Sequence, residues 1–510
     1  MRPVHLVPAV VVLAALGAIA DAAQLAHPAA PGTNSAAAVT RQVAVTSATR
    51  ACPPALGSGS GPVALIGGAT GAKASVDPGQ VELTALPPAG VPLRATSPLR
   101  QQGPGGLWML TVPAGSSASK KGTSVPQGWS VAASGAMAQA MEAEVAQSSG
   151  LANVRCGEPG SDIWFLGPGQ QNGAAQIQLD LMNIDSLAAS VNVSVTTDAG
   201  QAQAANETGI TVPPHQTVTE SLASIASGSS VVAIEVHTSI GRVAAAVSEA
   251  SAHGGAASWL PSAAAPSTQL VIPGVPASGS AAGLFLVVPG TSNAKVNVLA
   301  ITPQGHYRPF GSQSVDLPGQ SASYVALTPL GGTAAALEVT SNVPVTAAVL
   351  VPGSGAGAFT AATAPISEQA VVAGNTSGSG LAASIVLSAP AGAARVRLTE
   401  IAQASSGGRS PGGTSATGSQ VVSVRAGHTL VAPVTAPPGA KRGSAFAVVI
   451  TPLAGSGPLY AARVETQGQN TIVSIIPAVS ALTTISLPPV RDSYDAISPP
   501  GGYGGEGSPP

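Results

Sequence analysis

The chain has 510 residues, of which 45% are apolar and only 8% are charged, and its net charge is −2. A typical soluble domain carries about 25% charged residues. The 20 Lys and Arg residues form no basic stripe, which excludes the phosphate contacts that drive nucleic-acid binding. The length predicts three to five domains, and a neutral, hydroxyl-rich surface favours an extracellular protein over a cytosolic one.

Residues 1–22 carry the features of an export signal. Arg2 supplies a positive charge, residues 4–20 are almost wholly apolar, and small residues suited to cleavage follow at 18–22. A run of about 17 apolar residues also lies at the lower limit for a membrane span, so a retained N-terminal anchor is the alternative. The sequence predicts an extracellular or cell-envelope location, with the membrane reached only through this segment if it is not cleaved.

The segments next to the folded part differ from it in composition. Residues 23–50 are rich in Ala, Thr, Pro and Ser without periodicity, which predicts a flexible spacer. The Gly- and Pro-rich tail at 491–510 predicts disorder. The chain has two cysteines, Cys52 and Cys156. In an exported protein such a pair predicts a disulfide, the alternative being two buried free thiols.

Short apolar runs that end at glycine repeat along the chain. The glycines are Gly67, Gly167, Gly274 and Gly374, which are 100, 107 and 100 residues apart. A repeat of this length indicates a row of similar units rather than one large domain. The predicted units are 51–160, which is irregular, 161–265, 266–366 and 367–490, the last with a terminal strand.

Each unit contains about seven short strands with period-2 alternation and a turn signal every 8–12 residues. This pattern predicts an all-β protein made of tandem immunoglobulin-like β-sandwiches. A β-propeller is the alternative, because a fifth apolar run at 472–476 could close a ring. Each later unit is predicted to end in a hairpin, as at 231–237 with 243–247. Residues 137–145 are the best helix candidate.

The search for catalytic chemistry gives no motif. The seven histidines have no metal-ligand spacing, and neither a nucleophile elbow nor a P-loop occurs. The 22 acidic residues include no evident pair for glycoside hydrolysis. We therefore predict no enzymatic activity, no cofactor and no metal site. His215 and His428 fall at equivalent turns, with Gln320 in the third unit; we interpret them as polar turn residues, the alternative being a repeated surface contact.

Three aromatic residues and one arginine are candidate site residues. Trp164, Phe165 and Trp259 are predicted to pack in the core. For Trp164 the reason is that the sister units have aliphatic residues in the run that contains it. The alternative is an exposed platform that stacks on sugars. Arg242 starts the last strand of its predicted hairpin, where a charge discourages edge-to-edge pairing of sheets.

Several landmarks lie between residues 150 and 365. They are Cys156-Gly-Glu-Pro159, Ile163-Trp-Phe-Leu-Gly167, Gly241-Arg-Val-Ala-Ala-Ala-Val247 and Trp259-Leu-Pro261. With these landmarks the chain resembles an uncharacterised family of secreted actinobacterial proteins, classed as a domain of unknown function. The resemblance implies export and an actinobacterial cell envelope, and it brings no catalytic motif.

The sequence therefore predicts an exported cell-envelope protein of structural, adhesive or interaction type without catalytic activity. The alternative is a carbohydrate-binding protein for cell-wall glycans, which would need exposed aromatic residues. The candidate partners are a cell-wall polysaccharide and another envelope protein, and nucleic acid is excluded.

Overall fold

β-Strand is the dominant structure in the described part of the chain, which contains no α-helix. The computed structural model describes residues 41–56, 62–67, 79–91, 99–102, 106–111, 127–145, 153–202, 208–252, 257–277, 281–309, 314–327, 330, 332–353, 357–376, 380–402, 417–440, 443–468 and 471–487. These residues form 35 strands and two short 3-10 helices. The predicted export signal and the predicted tail lie outside them.

Strands β2 to β34 form four successive sandwiches. The first contains β2 (Ser47–Cys52), β3 (Pro62–Gly67), β4 (Gln80–Leu86), β5 (Leu99–Gln102), β6 (Gly106–Thr111), β7 (Gly128–Ser134), β8 (Glu142–Val145) and β9 (Val154–Arg155). The second contains β10 (Asp162–Pro168), β11 (Ala174–Asn183), β12 (Ala189–Thr197), β13 (Gly200–Ala202), β14 (Ile210–Val212), β15 (Gln216–Ser221), β16 (Val231–Ile240), β17 (Ala244–Ser251) and β18 (Ser258–Leu260).

The third sandwich contains β19 (Ser267–Val275), β20 (Ala282–Val288), β21 (Ala294–Thr302), β22 (Gly305–Tyr307), β23 (Val315–Leu317), β24 (Ser321–Leu327), β25 (Ala335–Val351) and β26 (Ala358–Ala361). The fourth contains β27 (Ala370–Asn375), β28 (Leu381–Ala389), β29 (Ala394–Ala402), β30 (Thr417–Val424), β31 (His428–Val434), β32 (Phe446–Pro452), β33 (Tyr460–Gln467) and β34 (Thr471–Pro477). Strands β1 (Arg41–Ala44) and β35 (Thr484–Leu487) pair in a separate two-stranded sheet.

The four sandwiches share one topology. When their strand positions are named a to h in chain order, one sheet has the order a-f-c-d and the other has the order e-b-g-h in every sandwich. In the second and third sandwiches position d is split into two short strands, β13 with β14 and β22 with β23. In the third sandwich positions f and g are the two halves of β25, a single strand that joins both sheets.

Burial patterns show which strands are covered on both faces. In β21 apolar and polar residues alternate, so that Val296 and Val298 face the core while Lys295 is exposed. Every residue of β20 is buried. Its even-numbered leucines and Val288 belong to the core of the third sandwich, whereas Phe285 packs with residues of the second. The sheets of neighbouring sandwiches therefore pack on each other.

Contacts between the sandwiches form a closed ring. Each sandwich contacts the next one along the chain, and the fourth also contacts the first. One hydrogen bond illustrates each junction: Thr217 N to Pro87 O (2.9 Å), Ser258 Oγ to Gly357 O (2.7 Å), Thr429 Oγ1 to Ile301 O (2.7 Å) and Gly374 N to Glu144 Oε2 (3.0 Å).

The all-β prediction is confirmed, but the immunoglobulin strand order is not shown. In an immunoglobulin domain the first strand shares a sheet with the second, whereas here position a pairs with position f. The predicted hairpins at the end of each unit are wrong. Strand β16 pairs with β10 and β12, while β17 pairs with β11 and β18 in the other sheet. Each of these strands finds its apolar partners in a different layer, so the short connection crosses between sheets.

Two further expectations are wrong. The helix predicted at 137–145 is a 3-10 turn at Gly135–Ala138 followed by strand β8. Pairing with β3 imposes a period of two on β8, because Ala143 and Val145 enter the core. The spacer predicted at 23–50 is not irregular to its end, since β1 and the start of β2 lie within it.

Candidate functional site

The two cysteines form the predicted disulfide. Cys52 ends β2 and Cys156 directly follows β9, and both are fully buried in the core of the first sandwich. Beside them, the backbones of Ala51 and Gly157 exchange two hydrogen bonds of 2.9 Å. The disulfide therefore ties the first strand of this sandwich to its last, at the point where the second sandwich begins.

The three aromatic candidates are all buried. Trp164 is 4% exposed and Trp259 is 6% exposed, and Phe165 is buried beside Trp164. Trp164 and Phe165 pack in a cluster that includes residues of the second and third sandwiches, whereas Trp259 packs in the core cluster of the first. None of the three side chains offers an exposed stacking face.

The equivalent residues in other sandwiches indicate which neighbouring sandwich the side chain of Trp164 contacts. Counting back from the repeated glycines, Val271 and Val371 occupy its position in the third and fourth sandwiches. Val271 packs with Tyr460 of the fourth sandwich, and Val371 packs with Ala140 of the first. By this equivalence Trp164 lies at the junction between the second and third sandwiches.

Arg242 forms an exposed ion pair. It lies in the connection between β16 and β17, and its Nε and Nη2 are 2.9 and 3.1 Å from the two carboxylate oxygens of Asp185. The hydrogen bond from Arg242 lowers the pKa of Asp185. Both side chains are exposed to solvent, so we expect this pair to contribute little to stability.

The repeated turn contains His215 and Gln320, but the third equivalent residue is Gly427 rather than His428. All three directly precede the strand at position e, and their φ angles are 52°, 53° and 69°. This left-handed backbone favours glycine. The alignment of His428 with His215 is therefore displaced by one residue.

A buried charged cluster lies where the fourth sandwich meets the first. Arg463 of β33 has no exposed surface, and its Nη1 is 2.7 Å from Glu144 Oε1 of β8. Its Nη2 is 3.7 Å from Glu465 Oε2 on its own strand. The ring of sandwiches is thus closed by a cation of the fourth unit held against a carboxylate of the first.

Backbone and amide groups complete this cluster, which we call the closing cluster (Glu144, Asn153, Arg463 and Glu465). Glu144 Oε2 accepts the N–H of Gly374 at 3.0 Å. Glu465 Oε2 accepts from Asn153 Nδ2 at 3.0 Å. Asn153 and Glu144 come from the first sandwich and the others from the fourth, so each carboxylate binds across the junction.

Burial and charge act against each other in the closing cluster. Burial opposes ionisation of Arg463, but Glu144 and Glu465 outweigh it, so that the pKa of Arg463 stays above its ordinary value. Burial raises the pKa of Glu465, and the charge of Arg463 offsets this only in part. Removing the arginine would leave two carboxyl groups buried without a cation.

A second set of ion pairs lies beside the disulfide. Glu142, two residues before Glu144 on β8, is 2.6 Å from Arg155 Nη2 and 3.5 Å from Arg50 Nε. Arg50 Nη2 also lies 2.6 Å from Glu158 Oε1. The two buried glutamates of β8 therefore bind separate partners, one within the first sandwich and one across the junction.

The sequence interpretation missed these residues, although a signal was present. Both Glu142-Ala143-Glu144 and Arg463-Val464-Glu465 place charges at alternate positions of an apolar strand. Only 8% of the chain is charged, so two charges at alternate positions among apolar residues are an unusual feature of this sequence. The pattern does not show that Glu144 of the first sandwich binds Arg463 of the fourth.

Glu249 is a buried carboxyl group of a different kind. It is 2% exposed, and its Oε2 has no hydrogen-bond partner among the described residues. Burial raises its pKa from 4.5 to about 7. Below pH 4.5 the group is protonated in both states, and above pH 7 folding must bury a charge that the unfolded chain exposes to water.

We therefore expect stability to fall as the pH rises through the interval from 4.5 to 7, by about 2–3 kcal/mol from this group. The measurement is urea unfolding at pH 5 and pH 8 for the wild type and for Glu249→Gln. The variant should lose most of the difference between the two pH values. An unchanged pH dependence in the variant would show that Glu249 does not cause it.

Within the described ranges, no three His, Cys, Asp or Glu side chains converge on a point that could hold a metal ion. The described helices include none that is long and apolar enough to cross a membrane.

Comparison with known proteins identifies a family. A model of a protein family of unknown function matches residues 112–435, more than half of the chain. The match begins within the first sandwich, includes the second and third completely and ends in the fourth. No curated protein matches the chain, and no solved structure matches it.

Proposed function

The chain belongs to the DUF5719 family of unknown function, and we propose that it is an exported, non-catalytic protein of the cell envelope with a structural or interaction role. The closing cluster carries this proposal. Its buried charges bind one another and backbone groups across a junction, so they hold sandwiches together. A ring of packed sandwiches is suited to presenting surfaces to partners.

The location is proposed from the disulfide and the N-terminal sequence. The Cys52–Cys156 disulfide is consistent with an oxidising compartment, and residues 1–22 have the composition of an export signal. The family resemblance adds an actinobacterial envelope. Cell fractionation with thiol labelling tests this: we expect the chain outside the cytoplasm without free thiols, and full-length protein in the cytosol would contradict it.

For the fold, we propose a ring of two-sheet repeats. The two-sheet unit of about 100 residues is shared with immunoglobulin-like sandwiches, whereas the closed ring of contacts is shared with propellers. The repeated order a-f-c-d and e-b-g-h supports a single ancestral unit. An experimental structure in which the first and fourth sandwiches are apart would contradict the ring.

Carbohydrate binding is the second candidate function, and two tyrosines favour it. Tyr307 and Tyr324 of the third sandwich are 39% and 38% exposed. Unlike Trp164 and Trp259, which are buried, both tyrosines are exposed enough to stack on a sugar. Retention on purified cell walls should fall in Tyr307→Ala or Tyr324→Ala if glycan binding is the function.

Trp164→Val distinguishes the structural interpretation from the glycan interpretation. The substitution installs the residue that the third and fourth sandwiches carry, and loss of the indole ring at a packed junction should cost about 2 kcal/mol of unfolding free energy. We expect a lower melting temperature with unchanged cell-wall retention. Lost retention at an unchanged melting temperature would instead make Trp164 a binding residue.

A further inference from the structure

The outer edge of the fourth sandwich is strand β30, which has no neighbour on its outer side among the described strands. Strand β30 ends the sheet β27-β32-β29-β30 and pairs only with β29 among the described strands. Its eight residues, Thr-Gly-Ser-Gln-Val-Val-Ser-Val, contain no charge and no proline. Alternate residues along such an edge present unpaired N–H and C=O groups, which can pair with another chain.

The equivalent edges of the sister sandwiches are protected. Strand β5 of the first has four residues and includes Arg100. In the second and third sandwiches the edge is divided into strands of three residues each. Short strands and charges are the usual means by which proteins prevent edge pairing, so the continuous neutral edge of β30 is a departure within the repeat.

A basic face lies beside this edge. Arg395 and Arg397 project from the exposed face of β29, opposite Ser423 and Val421 of β30. Val421 is 50% exposed and Ser423 is small, so both guanidinium groups can reach over β30. Arg425, directly after β30, is also exposed. None of the three arginines forms a salt bridge with a described residue.

The arginines are not required by the fold. The same positions of the c strand hold Ser190 and Asn192 in the second sandwich and Lys295 and Asn297 in the third. A neutral pair therefore supports the same strand elsewhere in this chain. Three exposed arginines at one edge are notable because the whole chain has only 20 Lys and Arg residues.

We propose that β30 is a docking edge for an extended acidic segment of a partner protein, which adds to the sheet as a further strand. Backbone hydrogen bonds would hold the segment, and carboxylates at alternate positions would face Arg395 and Arg397, which have the same two-residue spacing. A second copy of the chain fits less well, because its own basic face would lie beside this one. The inference rests on the proposed interaction role and names a partner for it.

The test is fluorescence anisotropy with the labelled peptide Thr-Glu-Val-Glu-Val-Glu-Thr and the full chain. Three control probes are the same peptide with Gln for Glu, the same peptide with N-methyl groups at alternate residues, and polygalacturonate as an anionic polysaccharide. The variants are the sister-matched Arg395→Ser/Arg397→Asn and the edge-blocking Val421→Pro. Lys295→Ser is the matched control on the third sandwich.

We expect the acidic peptide to bind, and Arg395→Ser/Arg397→Asn to weaken it about tenfold at low salt, since each exposed charge pair contributes modestly. Val421→Pro and the N-methylated peptide should abolish binding, while Lys295→Ser should leave it unchanged. Equal binding of the N-methylated peptide, preference for polygalacturonate, or no peptide binding would overturn strand addition. Those failures would not affect the fractionation and thiol results that test the proposed function.

Discussion

Replacement of Arg463 by methionine is expected to lower the free energy of unfolding by about 3–5 kcal/mol. The side chain is fully buried, with Glu144 Oε1 at 2.7 Å and Glu465 Oε2 at 3.7 Å. Methionine keeps much of the volume but removes the cation, so both carboxyl groups stay buried without a partner charge. Guanidinium unfolding followed by tryptophan fluorescence measures the change.

Arg242→Met is the matched control for this substitution. Arg242 also binds a carboxylate through two nitrogens, but its pair with Asp185 is exposed to solvent. An exposed pair contributes about 1 kcal/mol or less. Equal losses in the two variants would show that the burial of Arg463 has no energetic consequence and would contradict the role of the closing cluster.

The second large effect is expected from the disulfide. Cys52 and Cys156 are 104 residues apart in sequence, and closing a loop of that length removes about 4–5 kcal/mol of unfolded-chain entropy in polymer models. The double variant Cys52→Ala/Cys156→Ala should therefore lose that much stability. Non-reducing mass spectrometry of the wild type should show the two cysteines joined.

Reductant provides the control for the disulfide variant. Dithiothreitol should lower the melting temperature of the wild type to near that of the double variant and leave the variant unchanged. A wild type with two free thiols, or a variant as stable as the wild type, would contradict the structural role of the bond.

The strands could be predicted from the sequence, whereas their pairing could not. Apolar and polar residues alternate along β12, β21 and β29 because one face of each strand is buried and the other is more exposed. This local pattern can be seen in the sequence. Pairing depends on which layer each strand joins. The sequence between f and g has the pattern of a hairpin, yet in the third sandwich the same stretch is one continuous strand, β25.

The candidate sites also differ in how far the sequence predicts them. The disulfide followed from two cysteines and an export signal, because only one pairing is available. The pairing in the closing cluster could not be predicted, because Glu144 lies in the first sandwich and Arg463 in the fourth, and they meet only when the ring closes. Neither strand alone indicates that its charge is buried.

The most direct test of the ring is a double-mutant cycle between Glu144 and Arg463, measured by guanidinium unfolding of the wild type, Glu144→Gln, Arg463→Met and the double variant. Residues in contact show interaction energies of about 0.5–3 kcal/mol, whereas distant residues are additive within about 0.5 kcal/mol. We expect a coupling of at least about 2 kcal/mol, because the pair is buried and its atoms are 2.7 Å apart. Additive effects of the two substitutions would show that the first and fourth sandwiches do not meet at this pair and would contradict the closed ring.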